Sequence, residues 1–173
     1  MRKRTSLVAL LPLVLAPSAA QATSATFSVS MTGAQVAPGT GDPDGSASGT
    51  ITLDDATGLV SWSFTYANID TPTLMHIHGP NAPAGVGAGV FIGLGVATSG
   101  GAGTLVSSLT HGNLAQLTQI LSAPGTFYVN IHNGTFPGGA VRGQVPEPAT
   151  ALLFGAGLAG LAFGGRRLRG RSS

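Results

Sequence analysis

The chain is predicted to be all-β: an antiparallel β-sandwich with one short helix, flanked by a signal peptide and a C-terminal hydrophobic anchor helix. Three observations predict this. Apolar residues recur with period two along the middle of the chain, the mark of half-buried strands. Clusters of Gly, Pro and Asp punctuate those runs as turns. Each end carries an apolar stretch beside basic residues, as targeting segments do. The division is therefore residues 1–22, 23–145 and 146–173.

At the N-terminus, basic Met1–Arg4 precedes the apolar run Leu7–Leu15, then small residues around Ala20 and Ala22. That order makes a secretory signal peptide. As a membrane anchor the run is too short, since a bilayer needs about 20 residues. Cleavage is expected after Ala22, with Ala20 as the alternative. Export usually licenses disulfides, yet the chain has no cysteine. The domain must therefore be held by its core, and thiolate chemistry is excluded.

The strands follow in order. Phe27, Val29 and Met31 alternate with serines, and Ile51 and Leu53 with threonines. Val60, Trp62, Phe64 and Tyr66 give the cleanest alternation. Thr73–Pro80 reads as a strand with Met75 and Ile77 on one face and His76 and His78 on the other. Val90, Ile92, Leu94 and Val96 form the next run, then Phe127, Val129 and Ile131, and finally Val141, Gly143 and Val145. Turns fall at Pro38-Gly39, Asp42–Gly45, Asp54–Gly58 and Phe136–Gly139. Asn113–Leu121 breaks the period: Leu114, Leu117, Ile120 and Leu121 share a helical face, with Asn113 as N-cap. Short strands at this spacing suit a sandwich or a barrel, and the sandwich is favoured.

The tail begins at Pro146-Glu147-Pro148, runs apolar from Ala149 to Gly165, and ends on Arg166, Arg167, Arg169 and Arg171. It sits at the short end of spanning length. Arginines after it would stay cytoplasmic, leaving the domain outside. Those targeting segments hold nearly all the basic charge. Between residues 23 and 145 lie five aspartates and one arginine, Arg142, a net charge of −4. An acidic domain excludes nucleic acid as a partner.

This three-part tail resembles the PEP-CTERM sorting signal of Gram-negative bacteria, with Pro146, Glu147 and Pro148 as the signature and Arg166 and Arg167 in the basic end. The resemblance implies an exosortase-type processing protease as partner. It also implies an inner-membrane-anchored precursor, and then a cell-surface or extracellular-matrix protein associated with polysaccharide and biofilm. A permanent tail anchor is the other outcome.

Among candidate sites, histidines stand out. His76 and His78 share a strand face, and His132 opposes Phe127, Val129 and Ile131 on another strand. If the two strands are neighbours, three imidazoles gather on one outer surface, a donor set suited to copper or zinc. The other reading is three structural histidines, at the surface or hydrogen-bonded. His111 is a weaker candidate. Asp42-x-Asp44-Gly45 lacks the remainder of a calcium loop and reads as an acidic turn. The one glutamate, Glu147, belongs to the tail, which excludes a paired-glutamate glycosidase. No Gly-x-Ser-x-Gly elbow or phosphate-binding loop occurs.

His76-x-His78-Gly79-Pro80, together with Tyr128–His132 and Phe136-Pro-Gly-Gly-x-x-Arg142-Gly-Gln144, resembles the CHRD domain over about residues 25–145. The resemblance implies an all-β exported domain. Ala140 stands where the family pattern carries an acidic residue, which leaves Arg142 without that partner. A looser similarity is to the copper side of Cu/Zn superoxide dismutases. It implies His76, His78 and His132 as copper ligands and Arg142 near the path of an anion. No bridging histidine, zinc loop or disulfide accompanies them. The expected sandwich is thus immunoglobulin-like or superoxide-dismutase-like. The expected function is a non-enzymatic binding or structural role in the envelope or matrix, with polysaccharide or surface proteins as partners. The alternative is a redox-active or purely metal-binding domain holding copper or zinc.

Overall fold

Alternating runs become strands because each buries one face and offers the other to solvent. The computed structural model describes residues 24–95, 101–110 and 113–147, the second of these as backbone. β1 (Ser24–Thr32) turns Phe27, Val29 and Met31 inward, and β2 (Ser46–Asp54) turns Ala47, Ile51 and Leu53 inward. β3 (Leu59–Ile69) buries Val60, Trp62, Phe64 and Tyr66 between exposed or half-exposed neighbours. Asp54 closes the turn between β2 and β3. Its Oδ1 accepts from the amides of Ala56 and Thr57 at 2.9 and 3.1 Å, and Gly58 takes a φ of 75°.

The remaining strands are β4 (Pro72–His78), β5 (Val90–Gly95), β6 (Gly101–Thr110), β7 (Tyr128–Asn133) and β8 (Val141–Gln144). All pair antiparallel in one eight-stranded sheet of order β5-β4-β7-β8-β1-β2-β3-β6. The halves meet where β8 approaches β1 at the register pair Thr32 and Arg142. Gly143 permits that approach, because a Cβ there would stand 2.4 Å from the Ser30 carbonyl oxygen. One buried cluster takes side chains from both halves, so the sheet curls around a shared core. The predicted all-β class with one helix holds, with the strands in a continuous curled sheet.

α1 (Leu114–Ser122) packs Leu117 and Ile120 into that core. The predicted cap is present: Asn113 Oδ1 accepts from the Gln116 amide at 3.3 Å. Gln116 Nε2 donates to the Phe91 carbonyl at 2.9 Å, tying the helix to β5. Leu114, expected on the inward face, is exposed because it sits in the first turn beyond the core.

Two strand details differ from expectation. β6 carries no clean apolar alternation, yet it pairs with β3 from Thr110 opposite Leu59 to Gly101 opposite Ile69. The backbone of the long β3 supplies its partners. Val90, expected inward with Ile92 and Leu94, is 57 % exposed, because the β4–β5 register shifts between Ile77 and His78. The expected signal peptide, anchor helix, His111, Pro148, Arg166 and Arg167 lie outside the described residues. Among the described residues no helix is long and apolar enough to cross a membrane.

Candidate metal centre

Register places the candidate residues. In the β4–β7 ladder His76 lies opposite Asn130, His78 opposite Tyr128, and Leu74 opposite His132. In the β7–β8 ladder Asn130 lies opposite Arg142 and Tyr128 opposite Gln144. Because side chains alternate, these polar residues share the face opposite Met75, Ile77, Val129 and Ile131. The two strands are neighbours, so the condition for gathering three imidazoles is met.

That face was expected to be an outer surface, and here the structure corrects the sequence reading. His78 and His132 are each 7 % exposed, His76 is half-buried, and every residue of β7 is buried. Loops from three parts of the chain cover the face by offering it carbonyl oxygens: Ala37, then Pro83 and Ala88, then Pro137 and Gly138. A second buried layer of polar groups needs such partners, since an unpaired polar atom away from water is costly.

The carbonyls also set the imidazole tautomers. A carbonyl can only accept, so His78 Nδ1 carries the proton it gives to Ala88 at 3.1 Å. His132 Nδ1 likewise donates to Pro137 at 2.9 Å. In the neutral ring the opposite nitrogen then holds a lone pair. His132 Nε2 lies 3.2 Å from His76 Nδ1. His78 Nε2 is buried and has no hydrogen-bond partner. One ring nitrogen from each histidine falls within 4.8 Å of the others, with no carboxylate in the group.

Charge is disfavoured on all three rings. Burial pushes His78 down to about 4, and the neighbouring His132 and His76 push in the same direction. Burial likewise lowers His76, with His132 adding to it, and burial lowers His132. Neutral imidazole is the ligating form.

Arg142 does not join the imidazoles. Tyr128 stands between, its ring parallel to His78 at 4.8 Å and covered by the Arg142 guanidinium at 3.5 Å. Arg142 is 1 % exposed and donates to the carbonyls of Ala37 and Pro83 at 3.0 and 3.1 Å and to Gln144 Oε1 at 3.3 Å. Backbone carbonyls and an aromatic face therefore replace the acidic partner that Ala140 cannot supply. A cavity of about 510 Å³ reaches His78 and Tyr128 between the Val36–Thr40 and Gly87–Ala88 segments.

Sequence reasoning gave no role to Tyr128, Gln144, Ala88 or Pro137. Tyr128 and Gln144 lie within the motif quoted above, which was the available signal. The two carbonyls had none, because every residue carries one.

No curated protein and no solved structure matches the chain at a significant level. The PEP-CTERM protein-sorting motif matches residues 144–168, which marks an exported protein, membrane-anchored as a precursor and then at the surface or outside the cell. The CHRD domain matches residues 27–145, most of the chain and all three histidines, and the chain belongs to the CHRD domain family.

Proposed function

We propose that this CHRD domain is a non-enzymatic binding module of the cell surface or extracellular matrix, and that it binds one transition-metal ion, copper or zinc, through His76, His78 and His132. In this reading residues 1–22 are the signal peptide, 23–145 the domain and 146–173 the sorting and anchor segment. The two halves of the curled sheet act as the layers of the expected sandwich. Polysaccharide or surface proteins are its neighbours on the sorting route.

One observation carries the metal reading: the buried, unpartnered Nε2 of His78, aimed by the bond that Nδ1 makes to Ala88. A buried lone pair without a donor costs free energy, and a metal ion would supply the missing partner. The spacing supports it. Tetrahedral ligands about 2.0–2.1 Å from a metal stand about 3.3–3.4 Å apart. His76 Nδ1 and His132 Nε2, at 3.2 Å, already have that spacing; His76 Nδ1 donates to the His132 lone pair here and would give up that proton to ligate. All three ligand atoms lie within 4.8 Å of one another, so the set needs to close by no more than about 1.5 Å. Three neutral nitrogens suit copper or zinc over magnesium or calcium, and they leave the ion's charge uncompensated and a position free for water or an anion. Arg142 would act at one remove, by holding Tyr128 against His78.

The test is metal loading of the exported protein with Cu(II) or Zn(II), read by elemental analysis and thermal melting. One ion per chain and a raised melting temperature are expected, about 2.7 kcal/mol of added stability at a hundredfold excess over Kd. His78→Ala should lose both. Substoichiometric metal, or binding indifferent to that substitution, overturns the reading.

A further inference from the structure

The sorting motif joins folded protein without a spacer. Val145 is 1 % exposed, and its amide donates to the Phe127 carbonyl at 3.0 Å. The Gln144 side-chain nitrogen lies 2.8, 2.8 and 2.7 Å from the carbonyl oxygens of Ala82, Gly125 and Phe127. Both residues fall inside the CHRD match and the sorting match overlaps them, beginning at residue 144. Two residues further on, Glu147 Oε1 accepts from the Gly125 amide at 2.8 Å. The middle residue of Pro146-Glu147-Pro148 is thus fastened to the domain, although Pro146 and Glu147 are both exposed.

A protease holds its substrate as an extended strand whose backbone groups are free to pair in the cleft. Up to Val145 that condition fails, because the backbone and its neighbours are committed to the domain. Pro146 brings no amide hydrogen to offer. We propose that the folded domain fixes the processing cut on the C-terminal side of Glu147, with the Gly125–Glu147 hydrogen bond marking the limit of the protease's reach. This inference rests on the exosortase-type processing that the sorting motif implies. Hydrolysis there breaks one amide C–N bond. The hydroxyl of water goes to the new carboxyl group, and its proton goes to the amine of the departing tail.

The experiment is intact-mass and C-terminal peptide analysis of the full chain expressed in an exporting host that carries an exosortase. Mature protein ending at Glu147 or later is expected. An end at Pro146 or earlier overturns the inference while leaving processing intact. A chain that keeps its whole tail overturns the processing reading, and this inference with it. Gly125→Ala tests the fastening. Its Cβ would stand 2.5 Å from Glu147 Oε1, the movable end of a side chain, so the carboxylate is displaced with little demand on the fold. Loss of about one hydrogen bond should raise the free population of the signature, and with it the processing rate, about fivefold. Cuts N-terminal to Glu147 should also appear. Wild-type rate and wild-type ends in a normally melting Gly125→Ala protein would refute the role of that bond.

Discussion

β3 and β7 are both central strands, and they treat their second faces in opposite ways. β3 alternates buried Val60, Trp62, Phe64 and Tyr66 with neighbours such as Ser63 and Thr65 that stand in solvent. β7 buries every residue, and its polar set of Tyr128, Asn130 and His132 lies beneath loops. Water satisfies the outer face of β3. The outer face of β7 must find all its partners in the protein, and where it fails the failure carries information. On this face His78 Nε2 and Asn130 Oδ1 are buried and unpartnered; the other such atom among the described residues, Asn133 Nδ2, ends β7 on the alternate side with Val129 and Ile131. The candidate site therefore lies where the sheet is covered twice, while the other half serves as support.

The strongest way to break this division is to damage the support alone. Phe64 is fully buried within β3, and Phe64→Ala should cost about 3–5 kcal/mol through lost burial and the cavity left behind. Metal bound per folded chain should stay unchanged, because Phe64 belongs to the apolar core and the three histidines to the opposite face of β4 and β7. Denaturant melts combined with metal analysis of the folded fraction check both halves of this expectation. A coupled loss of stoichiometry would show that the two regions are one cooperative site.

Acid should act on the other region. Metal-free His78 titrates near 4 when folded and near its ordinary 6.5 when unfolded, because burial disfavours the charged ring. Between those values the unfolded chain binds more protons, so stability is full above pH 6.5 and falls as pH drops toward 4. The loss is on the order of 3 kcal/mol from this group. His76 and His132 shift in the same direction. Melting temperatures across pH 4–7 for metal-free wild type and His78→Gln should diverge, with the variant flatter. Parallel curves would remove His78 from the account.

The same contrast explains what could be read in advance. The period-two pattern of β3 needs one buried face, so Val60-Trp62-Phe64-Tyr66 announced itself. Period two also put His76 with His78 and set His132 against Ile131. Their meeting needed β4 beside β7, which the pattern suggests only conditionally. The cover was illegible, because it comes from Ala37, Pro83, Ala88 and Pro137, distant in sequence and acting through backbone carbonyls. A carbonyl leaves no trace in residue identity. Arg142 was expected to lack the acidic partner that Ala140 replaces, whereas loop carbonyls, Gln144 and Tyr128 supply four others. β6 escaped notice for a related reason. It is defined by pairing with β3 rather than by its own pattern.

The smallest change that should separate the two faces is the loss of one hydroxyl from each. Ser63 is exposed on β3, and Ser63→Ala should leave stability within about 0.5 kcal/mol and metal binding untouched. The Tyr128 hydroxyl lies under the loop, accepting from the Ala88 amide at 3.2 Å and placed to donate to the Ala88 carbonyl at 3.3 Å. Tyr128→Phe keeps the ring between His78 and Arg142 but releases Ala88, at a cost of about 1 kcal/mol. Ala88 is also the acceptor that holds the His78 proton on Nδ1, so its release loosens the aim of Nε2. Metal affinity should fall about tenfold, the usual effect of removing a group that orients a ligand. Titration calorimetry on the two variants reads the difference directly. Equal affinities would mean that the loop merely shields the histidines; a tenfold gap would mean that it aims them.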